Sequence, residues 1–337
     1  MGPAIDAPPA TACPVCGTPA PRRIERRADY DLSSCPACGL TFSHPMRAAD
    51  AAFYEASTEY DDKWEFDVVP DRLAELGRRG ALLDLGCGDG RFLSRVTGHF
   101  VPTGLDFNPE AVRAARAARG LQDVHAVALE ELDRWEPDRR FEAITAFHVL
   151  EHLEDPRALL AHIARRLVPG GLLAVSVPNP DRWVLRWVRE AWDHPPHHLT
   201  RWTARALRSL LEQQGFDVEE VRSEPLQRWS QLRSACRDIC WFLAVGPLSF
   251  GIGSRWASAL SKGEATRRSA ATAAALARAR LGRALAQLKG GLVESAAVAL
   301  ALVLFLPMRL ARWQGKTLLV LASLGSGVPT GGGVRRP

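Results

Sequence analysis

The stretch Leu82-Leu-Asp-Leu-Gly-Cys-Gly-Asp-Gly-Arg-Phe-Leu93 decides the fold: an apolar run stops at Gly86, glycines recur at 88 and 90, and a second apolar pattern starts after Arg91. Ala81–Gly86 reads as a buried strand and Arg91–Thr97 as the helix that follows it. Glycines at G-x-G-x-G spacing in such a turn let the backbone approach a ligand closely. A pyrophosphate fingerprint, G-x-G-x-x-G, would need glycine at position 91, where Arg91 stands. The favoured ligand is therefore S-adenosylmethionine, which has no phosphate but whose carboxylate can use the same backbone N–H groups.

Strand and helix patterns alternate outward from this turn. Val101–Asp106, Asp123–Ala128, Phe141–Ala146, Leu172–Val177, Phe216–Val221 and Gly315–Leu324 read as further strands. Helices are expected from Pro109 to about Arg119, over Pro156–Leu167 with Gly170-Gly171 closing it, and over Thr203–Gln214. Seven strands in this rhythm predict an α/β fold with a doubly wound, mostly parallel sheet. Asp106, twenty-two residues after Asp84, falls at the end of the second strand, where a carboxylate can accept hydrogen bonds from both ribose hydroxyls.

The motifs LDLGCGDG, GLDFNPEAV, FHVLEHLEDP and PGGLLAVSVPN together resemble the class I S-adenosylmethionine-dependent methyltransferase family, over about Gly80 to Val221. Within it the chain looks similar to the ubiquinone-pathway O-methyltransferase branch. The resemblance implies a Rossmann-like sheet. It makes Asp84, Gly86, Gly88 and Gly90, with Cys87 between them, the cofactor loop, Asp106 the ribose ligand and Phe107 a neighbour of the adenine. Many relatives carry an Asp after the third strand for the adenine amino group. Ala128 stands at the matching position, and Glu130 is the acidic side chain two residues on.

His148, Glu151 and His152 are spaced i, i+3 and i+4 at the end of the fourth strand, which places them on one face of a helical turn. They either shape the loop or, as the branch resemblance implies, hold a divalent metal that lowers the pKa of an acceptor hydroxyl. His148 stands where those relatives carry a Glu. The run His194-Pro-Pro-His-His198 follows the fifth strand in the segment where this branch forms its acceptor pocket. A histidine with an unperturbed pKa of about 6.5 suits a general base there, and His198 is the first choice.

At the N-terminus, Cys13-Pro-Val-Cys16 and Cys35-Pro-Ala-Cys38 are separated by eighteen residues, and each pair is followed by glycine. Two such turns complete a tetrahedral, all-thiolate site, the spacing of a structural zinc ribbon. No apolar leader follows Met1, so the expected compartment is the cytoplasm.

The net charge is +5, yet residues 225–314 hold thirteen Lys/Arg against three Asp/Glu. This basic insertion also contains two apolar runs, Cys240–Ser254 without charge and Gly290–Met308 with only Glu294. If Gly315–Leu324 returns to the sheet, the chain crosses a membrane zero times or twice. Two crossings would export Arg255–Lys289 with its eight Lys/Arg, against the positive-inside tendency, so zero is expected. The insertion is read as helices lying at the inner face of the cytoplasmic membrane, with Trp229, Trp241, Trp256 and Trp313 as anchors, or as a helical cap on the protein.

The organisation expected is a zinc ribbon over 1–45, a helical linker over 46–79, a methyltransferase domain over 80–224 plus 315–324, the insertion over 225–314 and a disordered tail over 325–337. The function expected is methyl transfer from S-adenosylmethionine to a hydroxyl of a small-molecule, glycan or lipid-linked acceptor. The alternatives are an RNA methyltransferase using the ribbon and basic segment, although dense Lys/Arg interleaved with aromatics is lacking beyond Arg22, Arg23, Arg26 and Arg27, and a non-catalytic membrane-docked scaffold.

Overall fold

The computed structural model describes residues 10–27, 29–49, 61–186, 193–226, 232–233, 236–237, 239–240, 292, 294–305 and 314–325. The four tryptophan anchors, the run over 241–254 and the tail beyond Gly325 lie outside these residues.

Three short strands open the chain: β1 (Arg22–Arg26), β2 (Asp31–Ser34) and β3 (Thr41–His44). After helix α1 (Glu65–Glu75) come β4 (Gly80–Leu85), α2 (Arg91–Val96), β5 (Phe100–Asp106), α3 (Pro109–Arg119) and β6 (Val124–Ala126). They are followed by β7 (Phe141–Phe147), α4 (Pro156–Arg166), β8 (Leu167–Pro178), β9 (Thr200–Arg201), α5 (Ala204–Gln213), β10 (Phe216–Pro225) and β11 (Gln314–Leu324). Seven of these strands form one sheet in the order β10-β11-β8-β7-β4-β5-β6. The pairs β4–β5, β4–β7, β5–β6 and β7–β8 are parallel, and β11 runs antiparallel to β8.

Period-two alternation covers both faces of the sheet, as buried strands require. Leu83, Leu85, Ile144, Val175 and Val320 pack on one face with α4 and α5, while Leu82, Ala143, Ala174 and Leu319 pack on the other with α1, α2 and α3. Helix starts are set by local chemistry: Asn108, Asp155 and Thr203 each accept a backbone N–H at the N-cap of α3, α4 and α5, and prolines 109 and 156 take the first helical position. β8 begins at Leu167, five residues before the expected start. Its pairing with β7 shifts between Phe141 and Ala143, a bulge that Gly170 accommodates at φ +71°.

The ribbon is not a detached module. β9, from the segment after the fifth expected strand, adds to β1-β2-β3 as the fourth strand of a second sheet. One compact unit spans Met1–Pro180, Pro195–Glu224 and Lys316–Pro337, and so combines ribbon, linker and α/β domain. The other comprises Asp181–His194 and Pro225–Gly315. Within it Trp183, Leu226, Leu232, Cys236, Ile239, Ala297 and Ala301 share a buried cluster, and Arg182 forms a buried ion pair with Asp193 at 2.5 Å. Among the described residues, no helix is long and apolar enough to cross a membrane.

Candidate cofactor and acceptor site

The turn after β4 has its glycines at positive φ: Gly86 at 74°, Gly88 at 54° and Gly90 at 74°. A Cβ on Gly86 would lie 2.9 Å from Val149 Cγ2, so the turn closes only without a side chain there. Gly86 N and Cys87 N both donate to Leu105 O, at 2.8 and 3.0 Å, and Gly90 N donates to Cys87 O at 3.0 Å. Asp106 Oδ2 accepts Gly88 N at 2.8 Å and its Oδ1 accepts Asn108 N at 2.9 Å. The carboxylate at the end of β5 is thus locked to the glycine turn. Burial raises its pKa while these two N–H groups oppose the shift.

Asp84 is buried beside it. Burial pushes its carboxyl up to about 7, the Thr145 hydroxyl at 2.6 Å opposing and the Asp106 charge adding to the shift. Burial also drives the Cys87 thiol well above its ordinary value, which keeps it a packed thiol rather than a thiolate.

Asp84, Gly86, Cys87, Gly88, Asp106 and Phe107 line one cavity of about 470 Å³, together with Ala128, Leu129 and Glu130. His148, His152 and His197 line the same cavity. Of the remaining sequence candidates, Gly90 caps α2, and Glu151 and His198 stand outside the cavity lining at 1% and 9% exposure.

His148 is half-buried at φ +56° with both ring nitrogens facing carboxylates: Nε2 is 3.0 Å from Glu65 Oε1 and Nδ1 is 3.3 Å from Glu151 Oε1. Burial and the Lys63 charge pull its pKa down, but the two carboxylates prevail and it ends above its usual value. Glu65 ends below its usual value because His148 outweighs burial. Glu151 is likewise lowered against burial, to about 2, by His148 and the charges of His152 and His198. Its contact with His148 is an ion pair without hydrogen-bond geometry, since both Glu151 oxygens are buried and unbonded.

Behind this pair sits a cluster of three histidines. His152 Nδ1 donates to His197 O at 2.7 Å, and the three ring centroids of His152, His197 and His198 lie 4.3 to 5.0 Å apart. One ring nitrogen from each falls within 4.8 Å of the others. Burial brings the His152 pKa down to about 4, helped by the charges of His198 and His148. A neutral imidazole whose Nδ1–H is held by a carbonyl is suited either to accept a proton or to ligate a divalent cation.

Sequence reasoning passed over Lys63, Glu65 and Phe66, and placed His197 in the histidine run behind His198. The first three lie before the first glycine-flanked strand, where no motif marks them. Phe66 stacks on Phe92 and Phe147 at centroid distances of 5.8 and 5.7 Å, which brings the start of α1 over the cavity. Lys63 lines the cavity, and among the described residues it forms no ion pair, whereas Arg91 is paired to Asp89 at 3.0 Å.

The four cysteines bring Cys13 Sγ and Cys38 Sγ to 3.7 Å, and Cys16 Sγ and Cys35 Sγ to 3.5 Å. A tetrahedron with metal–sulfur bonds of about 2.3 Å has edges of about 3.8 Å, so the sulfurs stand where zinc needs them. Val15 N and Cys38 N point at Cys13 Sγ and Cys35 Sγ, and Gly17 and Gly39 close the two turns at φ 69° and 79°. This donor set fits a closed, structural zinc.

A family profile described as "Methyltransferase domain" matches residues 59–221. The chain is 30% identical over 203 residues to the O-methyltransferase cnsE of Penicillium expansum, covering 55% of this chain and 69% of that protein. It is 32% identical over 165 residues to a Mycolicibacterium smegmatis protein named "Probable S-adenosylmethionine-dependent methyltransferase", covering 46% of this chain and 59% of the other. Over 120 residues it is 37% identical to the ubiquinone biosynthesis O-methyltransferase of Xylella fastidiosa, 34% of this chain and 47% of that enzyme. The chain therefore spans about half to two thirds of the length of these curated relatives.

Proposed function

The chain belongs to the class I S-adenosylmethionine-dependent methyltransferases, and from that premise we propose that it methylates a hydroxyl of a small-molecule, glycan or lipid-linked acceptor. The observation that carries this reading is a single cavity lined both by the Asp84–Asp106 glycine turn and by the histidines 148, 152 and 197. S-adenosylmethionine, when bound, supplies an electrophilic methyl group on a sulfonium. The residues fit it: Asp106 is aimed by two backbone N–H groups to accept ribose hydroxyls, and Asp84 is a buried carboxyl whose ionised form a bound ammonium would favour. Phe107, Glu130 and Ala128 would border the adenine.

The carboxylate of the cofactor is better served by Lys63 than by the turn. The N–H groups of Gly86, Cys87, Gly88 and Gly90 are already bonded to Leu105, Asp106 and Cys87. Lys63 is the lining cation without an ion pair among the described residues.

On the acceptor side, His152 is held neutral with Nδ1–H on a carbonyl and can take a hydroxyl hydrogen bond at Nε2. His197 and His198 pack their rings against that of His152. His148, fixed between Glu65 and Glu151, orients this edge. The same three clustered histidines would hold a divalent cation, which lowers a hydroxyl pKa. The O-methyltransferase names of the Penicillium and Xylella relatives favour oxygen as the acceptor atom.

A nucleic-acid acceptor is less favoured, since Arg23 and Arg27 of the small ribbon patch are paired with Asp31 and Glu25. Peripheral membrane contact through the basic insertion remains part of the proposal, supported by exposed Leu302 and Val303 on residues 294–305. Calorimetry with S-adenosylmethionine, followed by a screen for +14 mass shifts in lipid and sugar extracts, tests the function. Absence of cofactor binding refutes it.

A further inference from the structure

We infer that the four-cysteine ribbon is a positioning element for the acceptor edge, holding residues 197–203 in register and with them His197 and His198. The catalytic consequence rests on the function proposed above; the structural coupling does not.

β9 is two residues long and follows the histidine run directly, so it needs neighbours to hold it. Thr200 and Arg201 pair with Phe42 and Thr41 of the ribbon, and Ser43 N donates to Leu199 O at 2.8 Å. On its other side Leu199 N donates to Glu151 O at 2.8 Å, so this residue links the ribbon to the loop bearing Glu151 and His152. Both cysteine turns are tied to the α/β domain as well. Thr203 Oγ1 donates to Cys38 O at 2.9 Å while capping α5, and Arg157 Nε of α4 donates to Pro14 O at 2.9 Å. Val15, Leu40 and Phe42 are buried in the same cluster as Leu150, Leu159, Trp202 and Leu207.

Energetically, a ribbon of roughly 35 residues buries too little apolar surface to fold unaided, and metal binding to the four thiolates contributes its folding free energy. Loss of zinc therefore removes the ladder partner of β9 and loosens the two histidines. The cofactor turn has no such dependence: the bonds of Gly86, Cys87 and Gly88 run to Leu105 and Asp106.

Hydrogen exchange read by mass spectrometry on the full chain, with zinc counted in parallel, tests the coupling. Chelating the zinc should speed exchange of peptides covering 197–203 at least tenfold, while S-adenosylhomocysteine affinity stays within about twofold. Unchanged exchange at 197–203 in the zinc-free chain overturns the inference. If chelation also abolishes S-adenosylhomocysteine binding, the zinc-loaded Ser43→Pro variant decides. It lacks the N–H that bonds Leu199 O, and should show faster exchange at 197–201 with one zinc retained; exchange equal to the parent overturns the inference. Should His197 and His198 variants methylate normally while the exchange coupling holds, the acceptor reading fails and the ribbon's positioning role stands.

Discussion

His148 Nε2 lies 3.0 Å from Glu65 Oε1, so the residue that follows β7 and the buried first residue of α1 form one ion pair. Ser176 Oγ of β8 donates to the same Glu65 oxygen at 2.8 Å. The N-terminal helix is thereby fastened over the cavity by charge as well as by the Phe66 stack.

Glu65→Gln leaves Glu151 as the remaining carboxylate partner of His148 and removes one charge-assisted contact, so it should destabilise the chain by roughly 2 kcal/mol. The sign with pH follows from the two shifts. His148 is raised, so its contribution is complete below about pH 6.5 and is lost as pH rises through its folded value; Glu65 is lowered, so its contribution is complete above about pH 4.3 and is lost as pH falls through its folded value. Urea unfolding should therefore show the largest gap between parent and variant near pH 5.5, shrinking toward pH 9. A gap that does not change with pH contradicts the ion-pair reading.

Asp106→Ala removes the acceptor for two ribose hydroxyls and unlocks Gly88 N. Loss of charge-assisted hydrogen bonds of this kind costs roughly 2 kcal/mol or more, about a 30-fold rise in Kd for S-adenosylhomocysteine by calorimetry. Parent-like affinity would remove Asp106 from the cofactor site.

Asp84 sits at about 7 in the cofactor-free chain, and a bound ammonium favours its ionised form. Cofactor affinity should accordingly rise as pH increases from 6 to 8, with proton release on binding. Asp84→Asn should flatten that dependence. Because the folded pKa is raised above the unfolded value of about 3.9, the free chain also loses stability as pH rises through 4 to 7, and the Asn variant should not.

Lys63→Met should weaken S-adenosylhomocysteine about tenfold, some 1.4 kcal/mol, and leave 5′-methylthioadenosine, which has no carboxylate, unaffected. Equal losses for both ligands would mean that Lys63 acts on the adenosine or on the fold instead.

Much of this was readable from the chain. The alternation of apolar strands with capped helices fixes the order of elements, and Asp84, the glycines and Asp106 fall together because they end adjacent parallel strands, Asp84 pairing with Gly104 in register. The cysteine spacing likewise marks a four-thiolate cluster that could hold a metal, since each turn is local. What local pattern could not disclose is which remote groups meet. Glu65 lies 111 positions from Ser176, and Thr203 lies 165 from Cys38.

The sequence by itself determined the family, the cofactor turn and the ribbon, because each depends on neighbours within a few residues or on strand periodicity. Tertiary structure alone decided that His148 is clamped between two carboxylates, that Lys63 faces the cavity, and that the ribbon supplies the strand partner of the segment after the histidine run. Those outcomes depend on satisfying buried charges and backbone N–H groups across the folded core, and partners so distant in the chain are chosen only once the layers pack.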